Sequence, residues 1–294
     1  MEPLSEQCTE SYLRYLGACK PTEPTLDYLD RLIKVQLERV TFENLDVLLE
    51  RRVSLDAEAV FGKVTGRGRG GYCFELNSLF GRLLQALGYS MRLRAARVRL
   101  AIHDDSAKRT RLSHMVLLVE LADGDHCIVD VGMAMWGLHQ ALPLAGDATP
   151  FRVRSLDAVN SLEVAMPTGD GGWKVIYVVE PYDLDWLDFD TLNWYFSTNP
   201  KSLARRALLV GRRSPRGDGC SLRLRNDQFM RWSPAGGVVE RRVMRDENEI
   251  LEAMRDEFGL NLRTADDEAP LRARLRQLLE SWRVVQNLFL NKLV

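Results

Sequence analysis

Arg69-Gly70-Gly71-Tyr72-Cys73-Phe74-Glu75-Leu76-Asn77 is the stretch on which the fold of this chain turns. Residues 62–71 hold five glycines together with Lys63, Arg67 and Arg69, a composition that predicts a loop. Beyond it Phe74, Leu76, Leu79, Phe80, Leu83, Leu84 and Leu87 recur at helical spacing, and Gly88 offers a stop. Cys73 therefore falls at or just inside a helix N-terminus. Gly70 and Gly71 permit a sharp turn and a close backbone approach. Free N–H groups and the positive end of a helix dipole favour a thiolate and can receive a developing oxyanion. A cysteine is also a common buried core residue. Position alone leaves a nucleophile and a structural thiol both open.

Outward from that helix, residues 1–90 read as mainly helical. Residues 5–16 form one candidate helix ending near Gly17, and 26–40 another, with an apolar stripe at Leu29, Leu32, Ile33 and Leu37. Residues 55–61 suggest a third, short one. The middle of the chain changes period. Residues 91–102, 109–120, 127–131, 151–156, 162–165 and 173–180 read as strands. Ala122-Asp123-Gly124-Asp125 and Gly169-Asp170-Gly171-Gly172 mark turns between them. Antiparallel pairing into a small barrel is expected. Residues 190–210 look helical in part, broken at Asn199-Pro200. Residues 220–224 and 238–243 read as strands, and 247–258 and 270–279 as helices. The class is α+β in three domains: a helical domain over 1–90, a β-barrel over 91–200, and an α/β lid over 201–294.

Composition narrows the function. The 294 residues are 46% hydrophobic and 28% charged, enough for a folded core. Forty Lys and Arg against 41 Asp and Glu give a net charge of -1. The basic stretch 92–99 alternates with apolar residues as a half-exposed strand does, so no nucleic-acid partner is expected. Five cysteines at irregular spacing suggest reduced thiols in a cytoplasm, with no metal site. Met1-Glu2-Pro3 opens without a secretory pattern, and the apolar runs 115–119 and 176–179 are too short for a bilayer, so no membrane partner is expected. Gly66-Arg67-Gly68-Arg69-Gly70 lacks the Gly-Lys-Ser/Thr of a phosphate loop. Asp183, Asp185, Asp188 and Asp190 read as a solvated acidic turn.

A nucleophilic Cys73 needs a base. The histidines are His103, His114, His126 and His139. His103, His126 and His139 lie in loop-like sequence, whereas His114 opens the apolar run Met115-Val116-Leu117-Leu118-Val119, which can hold it rigidly. Asp130 lies in Ile128-Val129-Asp130-Val131-Gly132, where an unpaired carboxylate is costly. It either orients a histidine or bonds the backbone that follows it. Register decides whether the two meet. A two-residue turn at Asp123-Gly124 sets Asp130 opposite Leu117, on the wrong face. A loop centred on Ala122 sets it opposite His114, and a bulge also restores the parity. Both remain open.

Together these segments resemble the arylamine N-acetyltransferase family. The resemblance rests on residues 69–77, on Phe42-Glu43-Asn44-Leu45-Asp46-Val47, on Ser113-His114-Met115, on Val129-Asp130-Val131-Gly132 and on Asn193-Trp194-Tyr195-Phe196-Ser197-Thr198-Asn199-Pro200, in family order over roughly residues 5–215. It implies a helical domain, a β-barrel and an α/β lid around a papain-like core. It implies Cys73 as the nucleophile toward an acyl-CoA thioester, with His114 and Asp130 as its partners. Acetyl-CoA or another acyl-CoA is then a co-substrate rather than a resident cofactor. The acceptor is an arylamine, arylhydrazine or hydrazide. Similar proteins are amide synthases that close macrolactams from a carrier-bound thioester, and for these an acyl carrier protein is the partner. A papain-like peptidase shares the same side-chain chemistry. The chain departs from the family in Met133-Ala134-Met135-Trp136-Gly137-Leu138-His139-Gln140, a segment that lines the acyl and amine pocket in the family. It also departs at Gln36 and Ala204, where the family often has a histidine and an aromatic.

Overall fold

A computed structural model describes residues 1–100, 110–133, 136–145, 150–156, 160–168, 171–233, 237–262 and 265–290, the side chains of 265–266 and 283–290 excepted. The chain opens with α1 (Glu6–Leu16) and α2 (Leu26–Arg39). Ser5 and Thr25 cap them by accepting N–H groups of the first turn, and Gly17 closes α1 in the left-handed region at φ 73°. Their apolar faces meet through Tyr12, Leu13, Leu16, Leu29, Leu32 and Ile33. Gln36, buried on that face, accepts the Tyr12 hydroxyl through Oε1 at 2.8 Å, while its Nε2 is buried without a partner.

Next come β1 (Phe42–Glu43), α3 (Leu45–Leu48) and α4 (Ala57–Phe61). The loop expected over 62–71 is only partly a loop. Gly62–Gly66 continues α4 as a π-helical turn. Glycine disfavours a helix there, but the turn carries Lys63 inward to buried carboxylates, and tertiary attraction outweighs local preference. Thr65 braces it by donating to the Phe61 carbonyl at 2.8 Å. Residues 67–71 then form the loop, and α5 (Cys73–Ala86) follows with Gly88 at φ 90° behind it. Every residue from Cys73 to Leu84 is buried.

The sheet region contains β2 (Ser90–Val98), β3 (His114–Glu120), β4 (His126–Val129), β5 (Leu142–Pro143), β6 (Arg152–Leu156), β7 (Ser161–Pro167) and β8 (Trp173–Asp183). Their order is β5-β4-β3-β2-β8-β7-β6, with antiparallel pairing throughout. The edge strands β5 and β6 approach each other, so the sheet curls into a nearly closed barrel. Its interior is packed by Val116, Leu118, Ile128, Val164, Ile176 and Tyr177, and its other face meets α5 through Leu117 and Val119. Two expected strands overreach: β2 ends at Val98 and β3 begins only at His114. Residues 101–109 and the Gly169-Asp170 part of the expected turn lie outside the described residues.

Helix α6 (Trp186–Thr198) follows, capped by Asp185. The acidic turn is thus partly a capping device, since Asp188 accepts the Asp185 N–H in return. Then come α7 (Leu203–Arg206), β9 (Leu209–Arg213), β10 (Ser221–Arg225), β11 (Gln228–Ser233), β12 (Gly237–Val243), α8 (Glu247–Asp256) and α9 (Ala265–Leu290). The second sheet runs β1-β9-β10-β11-β12, so β1 joins it by pairing with β9. Sequence reading missed β1, β9 and β11 here, and β5 in the barrel. The turn Asn226-Asp227, with Asn226 at φ 53°, closes a tight β10–β11 hairpin and was the overlooked signal. Helix α9 begins before Pro270 and runs past Leu279, longer than expected. The second core lies between this sheet and the helices α8 and α9, through Leu222, Leu224, Phe229, Ile250, Leu251 and Leu275. Among the described residues no helix is long and apolar enough to cross a membrane.

Gly70 shows how tightly the approach to α5 is fixed. A Cβ there would lie 1.7 Å from the Thr41 carbonyl oxygen, whereas one on Gly66 would meet open space. Gly70→Ala is expected to cost about 3 kcal/mol or more by urea unfolding, and Gly66→Ala to stay within about 0.5 kcal/mol of wild type.

Candidate active site

The start of α5 is held by a cluster of buried charges. Glu75 accepts the Tyr72 N–H at 3.0 Å and the Lys63 ammonium at 2.8 Å. Lys63 Nζ also lies 2.6 Å from Asp46. Arg69 donates through Nε to Glu43 at 3.0 Å and sits 3.3 Å from Asp267. Glu43 in turn accepts the Leu45 N–H at 2.6 Å. Glu43, Lys63, Arg69 and Glu75 are buried and Asp46 nearly so, so each needs an opposite neighbour and hydrogen bonds. Burial alone would raise the Asp46 carboxyl, but Lys63, Arg69 and Arg51 overcome it and hold it at about 2. Burial disfavours the Lys63 ammonium, yet Glu43, Glu75 and Asp46 raise it well above the ordinary lysine range. Arg69, Gly70 and Glu75 of the opening motif are accounted for by this cluster and by the close approach to Thr41.

Cys73, His114 and Asp130 come together at the N-terminal end of α5. His114 is the first residue of β3 and pairs with Ala96 of β2. Its Nε2 lies 2.7 Å from Asp130 Oδ2, and both side chains are essentially fully buried. The register that allows this is neither of the two read from sequence. Leu117 pairs with Val129, which centres the β3–β4 connection on Asp123. Continued one step, it sets Asp130 level with Val116, on the face of His114 but two residues away. Strand β4 stops at Val129, and Asp130 reaches the imidazole from just beyond the strand end. It also bonds the backbone after it, accepting the Gly132 N–H at 2.9 Å. Both contacts, with the histidine and with the backbone that follows, are present at Asp130.

Asn77 ties the parts together, and sequence reading gave it no role. It lies four residues after Cys73, hence on the same helix face. Its Nδ2 donates to Asp130 Oδ1 at 2.9 Å and to the Met115 carbonyl at 2.7 Å, and its Oδ1 accepts the Val131 N–H at 2.8 Å. One amide thus fixes α5, β3 and the segment after β4. An asparagine amid the apolar positions of a buried helix was the available signal. Gly132 is the companion feature: a Cβ there would lie 2.7 Å from Asn77 Nδ2 and 2.8 Å from Cys73 Cα.

The Cys73 sulfur lies 3.8 Å from the Ser113 carbonyl oxygen, and the residue as a whole is buried. The sulfur lies near enough to the His114 ring to act on its charge. Nε2 faces Asp130, which leaves Nδ1 for the sulfur. Burial opposes a charge on His114. The Asp130 carboxylate and its hydrogen bond, with the nearby Cys73 sulfur, reverse that and raise the imidazole well above its ordinary range. The Tyr177 ring packs on His114 with centroids 5.5 Å apart, and burial beside Asp130 raises its phenol far above the usual value. The remaining described histidines lie elsewhere: His126 meets Arg92, and His139 packs edge-on against Phe151. His103 lies outside the described residues. Among the described residues no group of side chains is arranged to hold a metal ion.

A geometry of buried cysteine, histidine and aspartate between a helix start and an antiparallel barrel invites comparison with known proteins. The N-acetyltransferase family model matches residues 25–267. The chain belongs to the arylamine N-acetyltransferase family. Arylamine N-acetyltransferase / N-hydroxyarylamine O-acetyltransferase from Salmonella typhimurium is 32% identical over 248 residues, spanning 83% of this chain and 86% of the relative. The solved arylamine N-acetyltransferase of Salmonella typhimurium superposes with a TM-score of 0.83 at 29% identity, covering 93% of this chain and all of that one. The Mycobacterium marinum enzyme solved in complex with CoA gives a TM-score of 0.83 at 27% identity, covering 92% and 99%. The family fold of helical region, barrel and α/β region is the one seen here.

Two outcomes test the supports of this family site. Asn77→Ala removes two donors and an acceptor from buried partners, and is expected to lower unfolding stability by about 2 kcal/mol or more in urea titrations. Asp46 has a folded-state value near 2, below its unfolded one, so its stabilisation is present above about pH 4 and lost as pH falls toward 2. Asp46→Asn is expected to flatten that part of the acid-unfolding curve.

Proposed function

We propose that Cys73 is the acyl-accepting nucleophile, His114 its proton partner and Asp130 the group that orients and charges His114. The supporting observation is the buried chain of contacts from the Cys73 thiol through His114 to Asp130, the last at 2.7 Å. The activity is acyl transfer from a thioester donor, through a cysteine thioester, to the nitrogen of an arylamine. We infer acetyl-CoA or another acyl-CoA as the donor, and aromatic amines, hydrazines or hydrazides as acceptors.

The charges dictate the order of events. In the free enzyme the proton resides on His114, where Asp130 and Cys73 both stabilise it. The Cys73 thiolate attacks the thioester carbonyl. First-turn N–H groups of α5 face the charge that develops. The donor's C–S bond breaks, the new Cys73 C–S bond forms, and His114 delivers its proton to the departing thiolate. Acylation removes the anion beside His114, so the imidazole is now less readily charged and becomes a base. The amine attacks the acyl-enzyme, His114 takes the N–H proton, and Cys73 leaves as thiolate. The starting ion pair is restored. Donor and acceptor never need to be bound together, so ping-pong kinetics follow. Dry surroundings slow hydrolysis of the acyl-enzyme.

Intact-mass analysis after mixing with acetyl-CoA is expected to show one acetyl group on the peptide that carries Cys73, discharged by an arylamine or arylhydrazine. No acyl adduct with any short acyl-CoA would overturn the assignment. Cys73→Ala is expected to give no adduct, and His114→Gln to slow acylation by at least about 100-fold. Nitrogen NMR is expected to find His114 still protonated above pH 8 in the free enzyme, and neutral at lower pH once Cys73 is acylated or Asp130 is replaced by Asn.

A further inference from the structure

Arg82 is a charged side chain in the buried run of α5 that the chemistry above does not use. It lies nine residues beyond Cys73 and is only 8% exposed. Its guanidinium carbon stands 4.8 Å from the centroid of the Trp186 ring, a cation over an indole face. Nη1 donates to the Glu2 carbonyl at 2.8 Å, and Nε is buried without a hydrogen-bond partner. Among the described residues no carboxylate forms an ion pair with it. Burial lowers the guanidinium, and Asp56 and Glu2, acting from further away, do not make good the loss. Lys63 and Arg69, also buried, are each matched by carboxylates. Arg82 is left with one backbone carbonyl and a ring, an incomplete set for a charge out of water.

Arg82 and Trp186 border a cavity of about 700 Å³, within the size range of small-molecule sites. Trp194 forms another part of its wall and is 67% exposed. None of Cys73, His114 and Asp130 lines it. Two indoles and an unmatched guanidinium suit a flat ring that carries an anionic group. The ring covers indole surface, and the anion meets the cation in a partly dry setting.

The other charges of the wall set the charge of the ligand. Arg51, Arg52, Arg82 and Arg205 stand against Glu50, Asp56 and Asp190, four cations to three anions. Arg205 pairs with Glu50 at 2.9 Å. Arg51 is held by Asp46 and Asp267. Asp56 is engaged as the cap of α4, accepting the Ala59 N–H at 2.9 Å. Arg52 and Asp190 form no ion pair among the described residues, and their charges offset one another in the sum. The wall therefore favours one negative charge over two, a carboxylate over a phosphate dianion.

We propose that this cavity binds a small aryl carboxylate, its carboxylate on Arg82 and its ring against Trp186 and Trp194. The site is separate from the acyl-transfer reading of Cys73, and its test needs no turnover.

The probe is 1-naphthoate, followed by isothermal calorimetry and by quenching of tryptophan fluorescence. Wild-type protein is expected to bind it with a Kd below about 1 mM. 1-Naphthalenemethanol, the same ring without the charge, is expected to bind at least about tenfold more weakly. Arg82→Gln is expected to weaken 1-naphthoate at least about tenfold, and Trp194→Ala at least about fivefold. Trp194→Ala alters an exposed side chain and carries the test if Arg82→Gln does not fold. Saturating aniline, which has no carboxylate, is expected to leave 1-naphthoate bound. Displacement by aniline would place the probe at the reacting sulfur and overturn the proposal. So would absence of 1-naphthoate binding to wild type, equal binding of the alcohol, or unchanged binding to folded Trp194→Ala. Inorganic phosphate bound as tightly as 1-naphthoate would overturn it too, since the site would then have no use for the ring.

Discussion

A buried negative charge on Asp130 is the constraint around which this molecule is organised. A carboxylate without water must be met by donors from every side. Here they come from three parts of the chain: His114 at the start of β3, Asn77 on α5 and the Gly132 N–H just past β4. Satisfying one anion therefore fixes a helix, a strand and a loop relative to one another. The sulfur is positioned as a by-product, because Cys73 lies one turn before Asn77 on the same face. Stability and chemistry draw on the same hydrogen bonds.

Behind that centre lies a second dry polar system, built from Glu43, Asp46, Lys63, Arg69 and Glu75. It anchors the N-terminus of α5 to the π-helical turn and to β1. Breaking such a cluster strands a charge in the core, whereas apolar replacement of the whole is tolerated far better. Its value here is placement. Glu75 reaches back to the Tyr72 N–H, and the Tyr72 hydroxyl bonds Asn193 of α6. The backbone on both sides of Cys73 is thereby committed before any substrate arrives.

Much of this was legible in the residues. The helix after Cys73 declared itself by spacing and the barrel by alternation. The segment with Asp130 advertised its cost. What local pattern did not carry was anything set by distant partners. The β3–β4 register depends on a connection centred on Asp123, and small shifts there move Asp130 between two faces and among the levels of Leu117, Val116 and His114. The π-helical turn carries Lys63 inward to Glu43, Asp46 and Glu75, which local pattern does not announce as its partners. Strand β1 needs β9, more than 160 residues away, as its neighbour. Asn77 was visible as an oddity, but a polar residue on a buried face names no partner until the fold supplies one.

Complete enclosure of α5 from Cys73 to Leu84 has a corollary for how broad the acceptor range can be. A nucleophile mounted on a helix packed on every side cannot adjust itself to each incoming ring. Any adjustment to rings of different size falls to side chains on the elements around it, not to the helix that carries the sulfur.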